Sequence, residues 1–189
     1  MNSNIYCHKL NLPVQINHGI EPIDYSKEFF MRFEPELHIG QELYEWLSTL
    51  GLRYITGGYF YTPANSSWIP HVDGQQLIDF CKINWRIGAP GSIIRWYNPL
   101  PDFELTPGEN LPGSVSPNTN YSTVDASKLT EVYTIEHPDV CLFNPGRIHS
   151  FTAGPCAQHV VSIVIGPKDS DMRLFWEQGV KVFKNFIVE

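Results

Sequence analysis

The chain has 189 residues, of which 42% are hydrophobic and only 17% charged, which excludes a disordered polymer and suits one domain with a substantial core. Its net charge of −7, without any Lys/Arg run, argues against duplex DNA or an anionic membrane as partner. Composition carries no signature of oligomeric state.

In chain order, residues 10–14 read as a short opening strand and 25–33 as one or two helical turns. From 36 to 50, Leu43, Trp46, Leu47 and Leu50 recur at helical spacing, and Gly51 is placed to stop the helix. That amphipathic helix is expected to pack on the outside of a sheet. The pattern then changes to eight short β segments, at 53–61, 68–73, 80–87, 92–97, 131–136, 140–144, 147–151 and 158–165, punctuated by Gly, Pro and Asn. Eight such segments predict a mainly β fold with flanking helices, an antiparallel barrel or jelly roll. Residues 169–185 are helical by composition, with Asp169, Ser170 and Asp171 able to cap the start.

The whole chain, 1–189, reads as a single domain without internal repeats. The stretch 98–128 is the exception to the compact pattern. It is rich in Pro, Gly, Ser, Thr and Asn and longer than an ordinary connection, so it is read as an insert or lid beside the barrel mouth. The four cysteines, Cys7, Cys81, Cys141 and Cys156, form no CxxC pair. Cys81 and Cys141 lie in apolar runs, as core thiols do, and all four are expected to be reduced. No secretory apolar segment opens the sequence and no apolar run reaches membrane-spanning length, so the expectation is a cytoplasmic protein.

The most informative residues are His71-Val72-Asp73-Gly74 and, far downstream, His149 in Asn144-Pro145-Gly146-Arg147-Ile148-His149. Two imidazoles and one carboxylate are the facial set that suits non-haem Fe(II) while leaving positions open for ligands. Residues i and i+2 of a strand share a face, so His71 and Asp73 can grip one ion together. His149 falls on the seventh predicted strand, a neighbour of the second in a jelly roll. The bland alternative is a surface His71/Asp73 pair with a half-buried His149 bonded to backbone. His8, His18, His38 and His137 have no partner at ligand spacing and read as surface residues. Trp68, Trp85, Trp96, Tyr97, Phe143 and Phe151 can stack on a flat substrate, but aromatics in strands are usually core.

Taken together, His71 to Gly74, Ile83-Asn84-Trp85, Trp96-Tyr97, Leu142-Phe143-Asn144 through His149, and Ser162-Ile163-Val164 resemble the Fe(II)/2-oxoglutarate-dependent oxygenases. The likeness is to their short, uncharacterised phage and marine-bacterial members. It covers about half the chain, residues 59–165, and its specific part is the metal triad. The resemblance implies a double-stranded β-helix (cupin-like jelly roll) with His71, Asp73 and His149 as catalytic iron ligands. It also implies 2-oxoglutarate as cosubstrate, whose oxidative decarboxylation to succinate accompanies hydroxylation of a small-molecule or side-chain substrate.

One departure from the family stands out. Its members place a basic residue on the eighth strand, two before a Ser or Thr, to hold the far carboxylate of 2-oxoglutarate. Here Ser162 is preceded by Val160 and Gln158, and by alternation His159 points away from Ser162. Substitutes for the grip are Arg95 with Tyr97 on the fourth strand, Lys82 with Asn84 and Arg86 on the third, and Arg147 beside His149. Because guanidinium matches a carboxylate bidentately, Arg95 and Arg86 rank first, with Tyr97, Asn84, Ser162 and Gln158 as supporting cosubstrate contacts. Two other classes stay open: a cupin-like metal protein with non-oxygenase activity, such as isomerisation, and a jelly-roll binding module without metal.

Overall fold

The computed structural model describes residues 4–16, 39–88, 90–108 and 121–188, and the backbone alone of 29–32. Twelve strands are assigned: β1 (Cys7–Lys9), β2 (Phe29–Arg32), β3 (Leu52–Thr62), β4 (Ser67–Val72), β5 (Lys82–Ile87), β6 (Ile93–Pro99), β7 (Thr106–Pro107), β8 (Ser122–Thr123), β9 (Leu129–Glu136), β10 (Val140–Phe143), β11 (His149–Thr152) and β12 (Gln158–Pro167). They form two six-stranded antiparallel sheets, in the orders β1-β10-β5-β12-β3-β2 and β7-β8-β4-β11-β6-β9.

The eight predicted segments correspond to β3, β4, β5, β6, β9, β10, β11 and β12. Numbered one to eight, they fall into four-stranded cores 6-3-8-1 and 2-7-4-5, the strand order of a jelly roll. The chain crosses between the sheets at almost every connection, so residues far apart in sequence meet across one interior. The second and seventh segments are indeed neighbours: β11 pairs with β4 and sets His149 opposite His71.

Two helices, α1 (Gln41–Thr49) and α2 (Trp176–Phe183), flank this sandwich. Leu43 and Leu47 of α1 and Trp176 and Phe183 of α2 join Ile83, Leu142, Val161, Ile163 and Ile165 in the largest buried cluster. β12 is buried along nearly its whole length because it is central in its sheet and apolar on both faces. Gly51, at φ +69°, ends α1 in the left-handed conformation that favours glycine. Among the described residues no helix is long and apolar enough to cross a membrane.

Several expectations are corrected. The opening strand is Cys7–Lys9 rather than 10–14; Leu10 adds only a bridge to Ile187. Residues 29–32 of the expected helical turns are a strand paired with β3, and the rest of 25–33 lies outside the described residues. The first helix begins at Gln41, and 36–38 are likewise outside the description.

The C-terminal helix begins at Trp176, so residues 169–171 do not cap it. Leu174 and Phe175 are held extended by the Cys81 N–H to Leu174 carbonyl bond, the Leu174 N–H to Ile165 carbonyl bond, and a Phe80–Phe175 bridge. The Gln178 side chain then accepts from the Phe175 N–H at the helix start. The 98–128 stretch is not a bare loop, since β6 runs on to Pro99, and β7, β8 and a 3₁₀ turn (Ala126–Lys128) occupy part of it. Residues 109–120 are outside the described set. All four cysteines are free, with Cys7, Cys81 and Cys141 buried.

Candidate metal centre

His71 lies near the end of β4, Asp73 just beyond it, and His149 at the first position of β11. One ligand atom from each lies within 4.8 Å of the others, the spacing of a set that can close on one ion. The imidazole rings are 4.4 Å apart, and His71 Nε2 is 3.6 Å from Asp73 Oδ1. Asp73 lies one residue past the end of β4, and its carboxylate still faces the His71 ring.

Backbone carbonyls fix both rings. His71 Nδ1 lies 2.8 Å from the Ile69 carbonyl, and His149 Nδ1 lies 2.8 Å from that of Arg147. A carbonyl only accepts, so each Nδ1 is the donor and each ring is turned with its Nε2 toward the site, the arrangement that orients histidine ligands in metal sites. His149 is buried. Desolvation, and secondarily the neighbouring His71, depress its pKa to about 3, so at neutral pH it is an unprotonated donor.

Asp73 would be raised by burial. Lys82 and the two imidazoles outweigh that and hold its carboxyl well below the usual carboxylate range. Lys82 Nζ donates to Asp73 Oδ2 at 2.5 Å and sits 5.7 Å from the centre of the Phe60 ring.

The two ligand-bearing segments are tied to each other. The Asp73 N–H donates to the Pro145 carbonyl at 3.0 Å, and Arg147 grips Asp79 through Nε at 2.6 Å and Nη2 at 2.5 Å. Gly146 packs against the Ile78 carbonyl so closely that a Cβ there would overlap it. Glycine is therefore required at that crossing by close approach, and the predicted strand 147–151 starts only at His149 because the turn before it is occupied by this contact.

The triad opens into an interior pocket lined by residues of both sheets. Trp68, Phe143 and Phe151 supply aromatic walls, with Ile94 and Val160 as aliphatic ones. Of the predicted cosubstrate contacts, Asn84 and Ser162 line the pocket and are joined by a 2.6 Å bond from the Ser162 hydroxyl to Asn84 Oδ1.

The remaining predicted contacts lie outside it. Arg86 pairs with Asp139 and donates to the Gly88 carbonyl. Arg95 bonds Thr152 and lies 3.6 Å from Glu131, while Tyr97 bonds Ser150. Gln158 is buried and donates to the Ile87 carbonyl. Arg147 is committed to Asp79, and His159 packs between Tyr59 and Tyr61 on the other face of β12. Trp85, Trp96 and Tyr97 belong to apolar clusters rather than to the pocket.

Two residues gain importance from the structure. Lys82 is the only Lys or Arg lining the pocket among the described residues. Its alternation with Asn84 was the available signal, but the preference for arginine passed over it. His137, expected at the surface, is buried in the pocket wall. Its Nδ1 meets the Pro138 carbonyl at 2.7 Å, and desolvation depresses its pKa to about 4, which leaves a neutral ring. Nothing in the local sequence distinguishes it from a surface histidine. His8 is half-buried and stacked on Trp176, and His18 and His38 lie outside the described residues.

No family model matches this sequence, and no curated protein does. Solved structures with similarity include a vicilin from Solanum melongena, at 13% identity over 77% of this chain and 30% of that one, TM-score 0.38. Another is an oxalate oxidase in complex with the substrate analogue glycolate, at 12% identity over 78% of this chain and 54% of that one, TM-score 0.35. A third is the Cellulomonas parahominis L-ribose isomerase with L-psicose, at 12% identity over 85% and 74%, TM-score 0.36. The chain spans less than two thirds of the vicilin and of the oxalate oxidase. The jelly-roll assignment rests on strand order and register.

Proposed function

We propose that this chain is a mononuclear non-haem Fe(II) oxygenase that uses a 2-oxo acid, with 2-oxoglutarate as the leading cosubstrate. The observation that carries the reading is the pair of histidines pinned through Nδ1, with both Nε2 atoms left free beside one carboxylate in a single pocket. This donor set fits an ion that prefers two imidazoles, one carboxylate and open positions. Bound Fe(II) would supply the redox chemistry that couples dioxygen to decarboxylation of the 2-oxo acid and oxidation of a substrate.

The chain's own residues bind, orient and exclude water. His71, Asp73 and His149 hold the ion. Trp68, Phe143 and Phe151 keep bulk water from it. Lys82, Asn84 and Ser162 offer the polar contacts a 2-oxo acid needs, a role that Arg86, Arg95, Tyr97 and Gln158 fill only after leaving their present partners. The substrate class is a small molecule or a protein side chain, and its identity would be set at the pocket mouth.

A second reading, a cupin-like metal protein with non-oxygenase chemistry, is favoured by one observation. Val160 lines the pocket where the family's basic residue would project. Succinate formation from 2-oxoglutarate in the presence of Fe(II), ascorbate and dioxygen decides between them. The oxygenase reading expects substrate-independent turnover in the wild type and none in His149→Ala. Stoichiometric iron without any succinate would leave the second reading. Absence of bound metal would sink both in favour of a binding module.

A further inference from the structure

Lys82 and Asp73 form an ion pair inside the site, and that pair has a consequence for what the site binds. Only 13% of the Lys82 side chain and 19% of that of Asp73 are exposed. Asp73 is the only carboxylate lining the pocket among the described residues, and Lys82 the only ammonium or guanidinium. The ammonium and the carboxylate face one another directly across the pocket wall. A divalent ion on Asp73 therefore adds two positive charges next to a resident cation, within walls that are otherwise apolar or neutral.

We propose that Lys82 makes metal binding weak alone and strong with a dianionic chelator, so that ion and anion load together. The inference rests on the metal-site reading above. By occupying Oδ2 of Asp73 with a hydrogen bond, Lys82 competes with the ion for the carboxylate. When an anion enters, the ammonium has a second negative group to face, and the two positive charges of the ion are neutralised. The chemical class is set by that charge balance: a small acid carrying two negative charges, at least one of them on a metal-chelating oxygen. The ring of Phe60, 5.7 Å from Nζ, holds the ammonium in place on its apolar side.

The test is Mn(II) titration calorimetry on the full chain, with and without 2-oxoglutarate or oxalate (dianions), and with pyruvate (a monoanion). A unit charge so near a partly buried ion alters affinity by about ten-fold or more. In the wild type, the dianions are expected to tighten Mn(II) binding by at least about that factor, and pyruvate by clearly less. In Lys82→Met, Mn(II) alone is expected to bind at least about ten-fold more tightly than in the wild type, with most of the dianion effect lost. Lys82→Arg keeps the charge and should retain the coupling. Lys82→Gln serves in place of the methionine variant if that one fails to fold.

Equal Mn(II) affinity in wild type and Lys82→Met, or an unchanged dianion effect, would overturn the coupling while leaving the metal site intact. No Mn(II) binding by the wild type even with a dianion present, or equal binding by His149→Ala under that condition, would instead remove the metal-site reading and the coupling with it.

Discussion

At the scale of single residues, the site is built from groups whose protonation is settled by burial. His149 and His137 are both held neutral in the interior, with pKa values depressed to about 3 and about 4. In the unfolded chain each would take up a proton near its ordinary pKa of about 6.5. Between that pH and the folded value, the unfolded state therefore binds more protons, and folding stability falls as pH falls. Each histidine contributes up to about 1.4 kcal/mol per pH unit over its window. Asp73, whose carboxyl is held low in the fold, acts in the same direction once pH drops below about 3.9. Melting temperature measured without metal should be flat above about pH 7 and fall steadily from about 6.5 to 4. Replacing His137 with the neutral Gln should flatten part of that slope. An unchanged slope would mean that His137 is not held neutral in the fold.

At the scale of elements, the metal ligands depend on two turns that are locked together. Arg147 and Asp79 are about a third exposed, so their ion pair contributes little to global stability, on the order of 1 kcal/mol or less. Its effect should appear instead in ligand geometry, because Arg147 is two residues from His149 and Asp79 closes the loop that follows Asp73. Arg147→Leu is expected to shift the melting temperature by only a few degrees while weakening metal affinity about ten-fold. Equal metal affinity in variant and wild type would show that the clamp does not position the triad. Gly51 gives a purely structural counterpart. A Cβ there meets nothing, so the cost of Gly51→Ala is the left-handed backbone alone, about 1 kcal/mol, without any change in metal binding.

At the scale of the whole molecule, the jelly roll brings the site together because the chain alternates between sheets. β4 and β11 are separated by four further core strands in sequence, yet they pair directly and set His71 opposite His149. The same topology puts β5 and β12 side by side in the other sheet, with Asn84 opposite Ser162. One sheet thus supplies the two histidines, and the facing sheet supplies Lys82, Asn84 and Ser162. The helices pack on the far side of that facing sheet, so the interior between the sheets is left to the pocket.

Much of this was legible in the sequence, for physical reasons. Strand periodicity and turn residues marked all eight core strands, because each element must present an apolar face and each reversal needs Gly, Pro or Asn. The spacing of His71 and Asp73 was readable because a strand fixes the direction of residues two apart. Which cation serves the pocket was decided only in three dimensions. Lys82, Arg86, Arg95 and Arg147 are equivalent as sequence, but Asp139, Glu131 with Thr152, and Asp79 engage the three arginines outside the pocket and leave Lys82 to face Asp73. The burial of His137 has the same origin. Composition and periodicity determine which elements form, whereas the charge and hydrogen-bond partners of a site come from residues distant in the chain, which only packing brings within reach.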